Sequence, residues 1–254
     1  MKIINWNVNS LKAREPLVEL LIKKENPQII CLQELKTDDK EIVNGFFHKH
    51  GYLNINSTQK SYNGVAIGYK NLNTKNIELK NLNKEQARNN CLLLKDYNTI
   101  LLNCYFPNGN PIKTEKFQIK TTWMNQIFEH LKEMEKKYHI IITGDFNVIP
   151  TDQDAHDIKK YKNDALASSE ARSYFRKYKN LDLIDPFEFQ EKKSSYTFFD
   201  YKTYKFGKEE GIRIDFFLLS PYLYKFINSL KVLKDYRNME RPSDHCPILM
   251  KLNI

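Results

Sequence analysis

Short apolar runs recur along the chain between polar punctuation. KIINWNV, QIICLQE, NGVAIGY, NCLLLKD, TILLNCYF, HIIITGDFNV, GIRIDFFLLS and CPILMKLNI are rich in β-branched or aromatic residues. Each is bounded by Asn, Gly, Pro or charge, so each predicts a strand. Between them the apolar spacing turns helical. Ser10 can cap a helix to about Lys24, with Leu11, Leu17, Val18, Leu20, Leu21 and Ile22 on a broad apolar face, and Pro27 stops it. A longer helix spans about Thr114 to Lys137, with Phe117, Trp123, Ile127, Phe128 and Leu131 inward. A third runs from about Ser169 to Tyr178, with Tyr174 and Phe175 inward. The basic stretch Lys159 to Lys162 reads as a flexible, solvated loop. Many strands and few helices predict packed sheets flanked by helices, in one α/β or α+β domain over residues 1–254.

The polar residues gather where the runs end. In the first strand Ile4, Trp6 and Val8 face one way and Asn5, Asn7 and Asn9 the other. IICLQE ends at Glu34, and LLNCYFPNG at Tyr105 and Asn108. In IITGDFN, Asp145 and Asn147 share a face while Phe146 points away. GIRIDFFLLS sets Asp215 inside an apolar strand, a costly place for a lone carboxylate. RPSDHCP joins Asp244 to His245 before the last strand. Strand ends within one sheet can converge on a site.

Composition sharpens this reading. With 41% hydrophobic and 13% aromatic residues among 254, the chain can build a sizeable core, which excludes a disordered protein. The net charge of +9, with Lys far outnumbering Arg, makes a polyanionic partner plausible. Cys31, Cys91, Cys104 and Cys246 have no CxxC spacing and read as reduced core thiols, consistent with a cytoplasmic protein. MKIINWNVNSLKAR contains no apolar signal segment, and no run approaches the ~18 residues of a membrane span.

Carboxylates at strand ends, with no Cys pair and little His, form a hard-oxygen donor set that suits Mg²⁺ or Mn²⁺ rather than zinc. Carboxamides beside them can donate to an anion without repelling a phosphate. His245 can serve as acid, base or charge stabiliser, and Asp215 could orient it through one ring nitrogen.

The order NWNVNSLKAR, CLQELK, NGVAIGYK, CYFPNGN, GDFNVIPTDQD, YTFFDYK, GIRIDFFLLS, MERPSDHCPI resembles, end to end, the exonuclease III family of the endonuclease/exonuclease/phosphatase superfamily, bacterial relatives of the major apurinic/apyrimidinic endonuclease. The resemblance implies an α+β fold, a four-layered αββα sandwich of two packed mixed sheets flanked by helices. It implies a monomer acting on double-stranded DNA at abasic sites or 3′ ends, with Mg²⁺ as cofactor and Mn²⁺ able to substitute. The implied activities are incision 5′ to abasic sites, 3′→5′ exonuclease action and removal of 3′-blocking groups. Carried over by motif, Glu34 is the principal metal ligand with Asn7 and Asp244 nearby, and Asp145, Asn147 and His245 are further candidate ligands. Asp145 positions or deprotonates water, and Asn147 holds water and phosphate. His245, oriented by Asp215, steadies the phosphate, with Tyr105 and Asn108 against it. Phe198, Ile212 and Ile214 match pocket positions, and Lys12 keeps a phosphate-facing charge.

The chain departs from the family at several places. Phe198 stands where many relatives have Trp, and Ile212 is smaller than the Trp of the human-type enzyme. Ser10 and Lys12 replace a common Gly and Arg; Lys lacks bidentate phosphate geometry. Two other readings stay open at this level: a superfamily phosphodiesterase acting on RNA or a phospholipid headgroup, and a catalytically silent DNA-binding scaffold.

Overall fold

A computed structural model describes residues 1–80, 82, 87–189, 195–202 and 210–254. In chain order the elements are β1 (Lys2–Asn7), α1 (Leu11–Glu25), β2 (Ile29–Gln33), α2 (Lys40–Lys49), β3 (Leu53–Ser57), β4 (Val65–Tyr69), β5 (Thr74–Ile77) and β6 (Asn89–Leu94). They continue with β7 (Thr99–Tyr105), α3 (Glu115–Met134), β8 (His139–Asp145), α4 (Ser169–Lys179), β9 (Asp215–Leu219), α5 (Pro221–Tyr224), β10 (Ile227–Val232) and β11 (Ile248–Leu252).

One sheet has the order β10-β11-β1-β2-β4-β3 and the other β5-β6-β7-β8-β9. Each is mixed, with a single parallel pair: β1 beside β2, and β7 beside β8. Parallel neighbours need a crossover, and helices α1 and α3 supply the two. Ile4, Trp6, Leu32 and Ala66 pack under α1 and α2, through Leu17, Val18, Leu21 and Phe47. Ile142, Phe146 and Phe216 pack under α3 and α4, through Trp123, Ile127 and Phe175. Between the sheets lie Ile3, Cys31, Ile67, Leu101, Ile141 and Phe217. The layers are therefore α, β, β, α, the sandwich that the resemblance implied.

Local chemistry explains the helix ends. The Ser10 hydroxyl accepts from the Ala13 N–H, and Asn26 closes α1 in the left-handed conformation. Ser168 caps α4 through the Ala171 N–H. Five α1 residues are buried, but Leu20 is 42% exposed, because the buried stripe is narrower than the expected apolar face. Helix α3 ends three residues before Lys137, where the Tyr138 N–H turns back to the Met134 carbonyl. The stretch around Lys159 is a turn of 3-10 helix, Ile158–Tyr161, rather than an open loop. Asp215 is the first residue of β9, not its middle; Ile212 before it makes only isolated bridges. All four cysteines are free and buried. No described helix is long and apolar enough to cross a membrane.

Candidate active site

The two parallel pairs decide where the site lies. Asn7 ends β1, Glu34 follows β2, Tyr105 ends β7 and Asp145 ends β8, so all four stand at carboxyl ends of parallel strands. Tyr105 and Asp145 are paired in register across β7 and β8. Gly144 permits that pairing, because a Cβ there would lie 1.8 Å from the Cys104 carbonyl oxygen and its φ is +138°. The sheets are joined just behind the site by buried carboxamides. Gln33 Nε2 donates to Asn5 Oδ1 at 2.7 Å and, across to the other sheet, to Asn103 Oδ1 at 2.6 Å.

Asn7 Nδ2 bridges the two sheets at their rim, donating to Glu34 Oε1 at 2.8 Å and to Asp145 Oδ2 at 3.0 Å. Glu34 Oε2 pairs with Lys36 Nζ at 2.8 Å. Glu34 has φ 53°, a left-handed backbone that costs a non-glycine residue roughly 1–2 kcal/mol. Its carbonyl accepts from the Ser10 N–H at 2.7 Å, which helps to hold that conformation. Asp145 Oδ1 accepts from the Asn147 N–H at 2.9 Å. Asn147, also left-handed, donates through Nδ2 to the Phe106 carbonyl at 2.9 Å and accepts from Asn108 Nδ2 at 3.3 Å. His245 Nδ1 donates to Asp215 Oδ2 at 2.8 Å, while its Nε2 faces Asp145 Oδ2 at 3.8 Å.

Glu34, Asp145 and His245 each offer one ligand atom, and these atoms lie within 4.8 Å of one another. The titratable groups of this cluster respond to burial and to one another in different directions. Burial, with Asp215 and Glu34 adding to it, pushes the Asp145 carboxyl up to about 7; His245 and the Asn147 N–H oppose the rise. Burial disfavours the His245 imidazolium, but Asp215, Asp145 and Asp244 outweigh it and raise His245 to about 10. Burial also raises Glu34, yet Asn7, Lys36 and His245 leave it below its ordinary value. Burial, then the charges of Glu34 and Asp145, holds the Tyr105 phenol well above its ordinary value, and its hydroxyl donates to Glu34.

The remaining expected site residues divide. The Phe198 ring lies 5.0 Å from the His245 ring, edge to face, and its backbone bridges both His245 and Ile212. Ile212 and Ile214 are buried in a small cluster with Phe198, Ile149 and Leu166. A cavity of about 240 Å³ opens beside them, lined by His156, Tyr161, Phe198, Asp200 and Ile212. Asp244 stands on the rim, where its Oδ1 accepts from Asn9 Nδ2 at 3.0 Å, outside the three-residue cluster. Lys12 is exposed on the first turn of α1, beside Glu240 and Arg241, and does not join the cluster.

Several supporting residues were not anticipated from the sequence. The Ser243 hydroxyl donates to the Asn7 carbonyl and accepts from the His245 N–H, fixing the SDH turn to β1. Thr197 Oγ1 accepts from the Ile214 and Asp215 N–H groups. Lys36 reaches Glu34. Arg213 is buried between Asp154 and Asp185. Lys120, on the inner face of α3, is fully buried. Only Lys120 carried a legible signal: it stands three residues from both Phe117 and Trp123, on the apolar face.

Known proteins share this fold. The profile of the Endonuclease/Exonuclease/phosphatase family matches residues 4–245. Exodeoxyribonuclease III of Haemophilus influenzae is 30% identical, over 98% of both chains. An AP endonuclease from Archaeoglobus fulgidus superposes with a TM-score of 0.91, at 28% identity and with both chains fully covered. The 3′ phosphatase NExo from Neisseria, bound to product DNA hairpin, superposes with a TM-score of 0.89, at 31% identity and again over the whole of both chains. Full-length matches in sequence and in backbone, on a rim carrying these carboxylates and imidazole, leave one assignment: the chain belongs to the Endonuclease/Exonuclease/phosphatase family, in its exodeoxyribonuclease III branch, and is a hydrolytic nuclease.

Proposed function

We propose that this protein is a metal-dependent DNA repair nuclease that incises duplex DNA 5′ to abasic sites and also removes nucleotides and blocking groups from 3′ ends. The observation that carries it is the cluster of Glu34, Asp145 and His245 within 4.8 Å at the joint rim of the two sheets. Three carboxylates, those of Glu34, Asp145 and Asp215, meet there against the Lys36 ammonium and one imidazole, and burial first, then its acidic neighbours, raise the Asp145 carboxyl to about 7. A site that draws in a proton so strongly also favours a divalent cation, and its hard oxygens fit Mg²⁺, with Mn²⁺ able to replace it. The residues to hold the ion are Glu34 first, with Asn7, Asp145, Asn147 and Asp244 as the candidate set around it; His245, the remaining candidate, would have to give up its Nε2 proton to join them. Bound there, the ion supplies Lewis-acid polarisation of a phosphoryl oxygen.

The chain's own groups account for the rest of the hydrolysis. Asp145, ionised near neutrality, takes a proton from the attacking water. Asn7 and the Asn147 N–H hold that carboxylate by both oxygens, so it meets the water in one orientation. His245 stays cationic because Asp215 holds its Nδ1, and its Nε2–H faces the phosphate to offset the charge that develops there. Asn147 and Asn108 present carboxamides to the same phosphate. Tyr105, kept protonated, can donate to a phosphate or leaving-group oxygen. The apolar side chains of Phe198, Ile212 and Ile214 form a wall beside His245 that suits a sugar lacking its base. The basic net charge favours a duplex partner. The chain works as one catalytic domain and as a monomer.

The experiment uses a duplex with one tetrahydrofuran abasic analogue, a plain blunt duplex and a duplex with a 3′ phosphate, each with Mg²⁺ or with chelator. Mg²⁺-dependent incision on the 5′ side of the analogue is expected, with slower 3′ digestion of the blunt duplex. Failure to cut any of the three would sink the proposal and leave RNA or a phospholipid headgroup as the substrate to try.

A further inference from the structure

We propose that Lys120 is a positioning residue for the hydrolysis: its buried ammonium fixes the loops that aim the Asn108 and Asn147 carboxamides at the substrate. The inference rests on the nuclease reading of the site and concerns a residue that touches no reacting atom.

Lys120 lies on α3 and is fully buried. Its Nζ donates to three backbone carbonyls: Asn108 at 3.0 Å, Asn147 at 2.6 Å and Ala165 at 3.4 Å. These belong to three separate segments, the loop after β7, the loop after β8 and the approach to α4. Burial lowers the Lys120 pKa to about 7 against the opposing charges of Asp145 and Asp164; in its protonated form the group offers three donors and no acceptor, so it can satisfy three converging carbonyls at once. An apolar residue of similar length would leave the Asn108 and Asn147 oxygens unpaired and facing each other, while Ala165 would keep the Ser168 hydroxyl as its donor.

The surrounding bonds tie this hub to the site. Asn108 and Asn147 touch directly, Nδ2 to Oδ1, at 3.3 Å. Asn147 in turn holds both oxygens of Asp145, through its backbone N–H and its Nδ2. Asn110 fixes the third segment, accepting from the Ala165 N–H at 2.8 Å and donating to Asp164 at 2.9 Å. Gly109 belongs to the same device. Its φ is +83°, and a Cβ there would fall 2.5 Å from Lys120 Cδ. The chain passes over the lysine stem at the one residue type that leaves it room.

A lysine with a merely structural role would change how much protein folds. A positioning lysine changes how well each folded molecule turns over. The test compares Lys120→Met, Lys120→Arg and Gly109→Ala with the parent chain, correcting for folded fraction by circular dichroism. Three quantities are read: kcat and KM on whichever duplex the parent cleaves, affinity for that duplex in chelator, and the NMR signals of the Asn108 and Asn147 side-chain amides. Lys120→Met is expected to lower kcat about 10- to 100-fold, the size that a small misplacement of catalytic groups produces, with KM and affinity within about twofold. Lys120→Arg should restore part of kcat, and Gly109→Ala should lower it in the same sense. Both carboxamide signals should move in Lys120→Met and Gly109→Ala. Parent-like kcat together with unmoved carboxamides in the folded variants would overturn the proposal. If Lys120→Met does not fold, the other two variants decide. If the parent cleaves no duplex, the nuclease reading fails, and the carboxamide signals still decide whether Lys120 sets those two side chains.

Discussion

Arg213 and His245 are both buried, and each lies against an aspartate from another segment, yet their surroundings differ in kind. Arg213 donates through Nε to Asp154 at 2.8 Å and through Nη1 to Asp185 at 2.6 Å. The other oxygen of Asp154 accepts from Thr151, and that of Asp185 from the Phe187 N–H. The guanidinium also faces the Phe216 ring at 4.6 Å. Charge and hydrogen bonds close on themselves, and the cation cannot lose its proton. Around His245, by contrast, Asp215 Oδ1 has no partner among the described residues, and Nε2 stands 3.8 Å from Asp145. Three carboxylates surround a group that can titrate. The first arrangement holds the chain between the Ile212 and Ile214 positions in place. The second leaves donors and acceptors uncommitted for a substrate.

If that contrast is right, substitutions in the two places separate activity from stability. The largest effect belongs to Asp145→Asn, which removes the proposed base: kcat should fall by about 10²- to 10⁴-fold. Its denaturant midpoint should stay near the parent's. Turnover within a few-fold of the parent would remove Asp145 from the proton transfer. Arg213→Met is the mirror case. Two buried aspartates lose their cation, and urea unfolding should report a loss of about 3–5 kcal/mol. Unchanged stability would mean that the aspartates find other partners and the cage is not structural.

Glu34→Gln should raise the Mg²⁺ concentration for half-maximal cleavage, by at least the roughly 10- to 100-fold seen when an outer-sphere partner of a metal is lost. An unchanged Mg²⁺ titration would reassign the principal ligand. The pH profile of kcat/KM sharpens the comparison further. Asp145 works ionised, so activity rises as pH climbs through its pKa, about 7 without bound metal. A cation nearby favours the ionised form, so this limb should move to lower pH as Mg²⁺ increases. His245 works protonated, so activity should fall as pH rises through about 10. A rising limb indifferent to Mg²⁺ would separate Asp145 from the metal. The smallest effect is on binding in chelator, which should weaken gradually with added salt as phosphate contacts release counterions. A flat response would argue against a duplex partner.

How much was legible in the sequence follows burial. Eight strands were readable because their apolar runs fill the space between two covered faces. The three that were not, β3, β5 and β10, are all sheet edges. Their residues are mostly half-exposed, so LNINS, TKNI and INSLKV carry no apolar run to detect. The helix α2 had a signal in Asp39, which caps it, and in Val43, Phe46 and Phe47, but Asn44 and Gly45 interrupt the pattern. Among site residues, the short motifs flagged Glu34, Asp145, Asn147, Asp215 and His245, which the fold brings together at the rim. They could not flag Ser243, Thr197 or Lys36, whose roles are contacts with residues far along the chain. Lys12, next to a motif, stands exposed on α1 and outside the three-residue cluster, because a charge beside a motif need not point where the motif points.

The sequence by itself determined eight of the strands and the three longest helices, which of their faces are apolar, and which donor atoms stand near strand ends, since all of these depend on spacing along one chain. It also carried the family, through motifs in a fixed order. Only the tertiary structure decided that Asn7, Glu34, Tyr105 and Asp145 meet, because that requires two parallel strand pairs in different sheets to end at one rim. The pairing of His245 with Asp215, the Arg213 cage and the three carbonyls on Lys120 were settled there too. Each joins groups 12 to 59 residues apart, and burial disfavours the His245 imidazolium while Asp215 outweighs it only once the sheets have brought the two together.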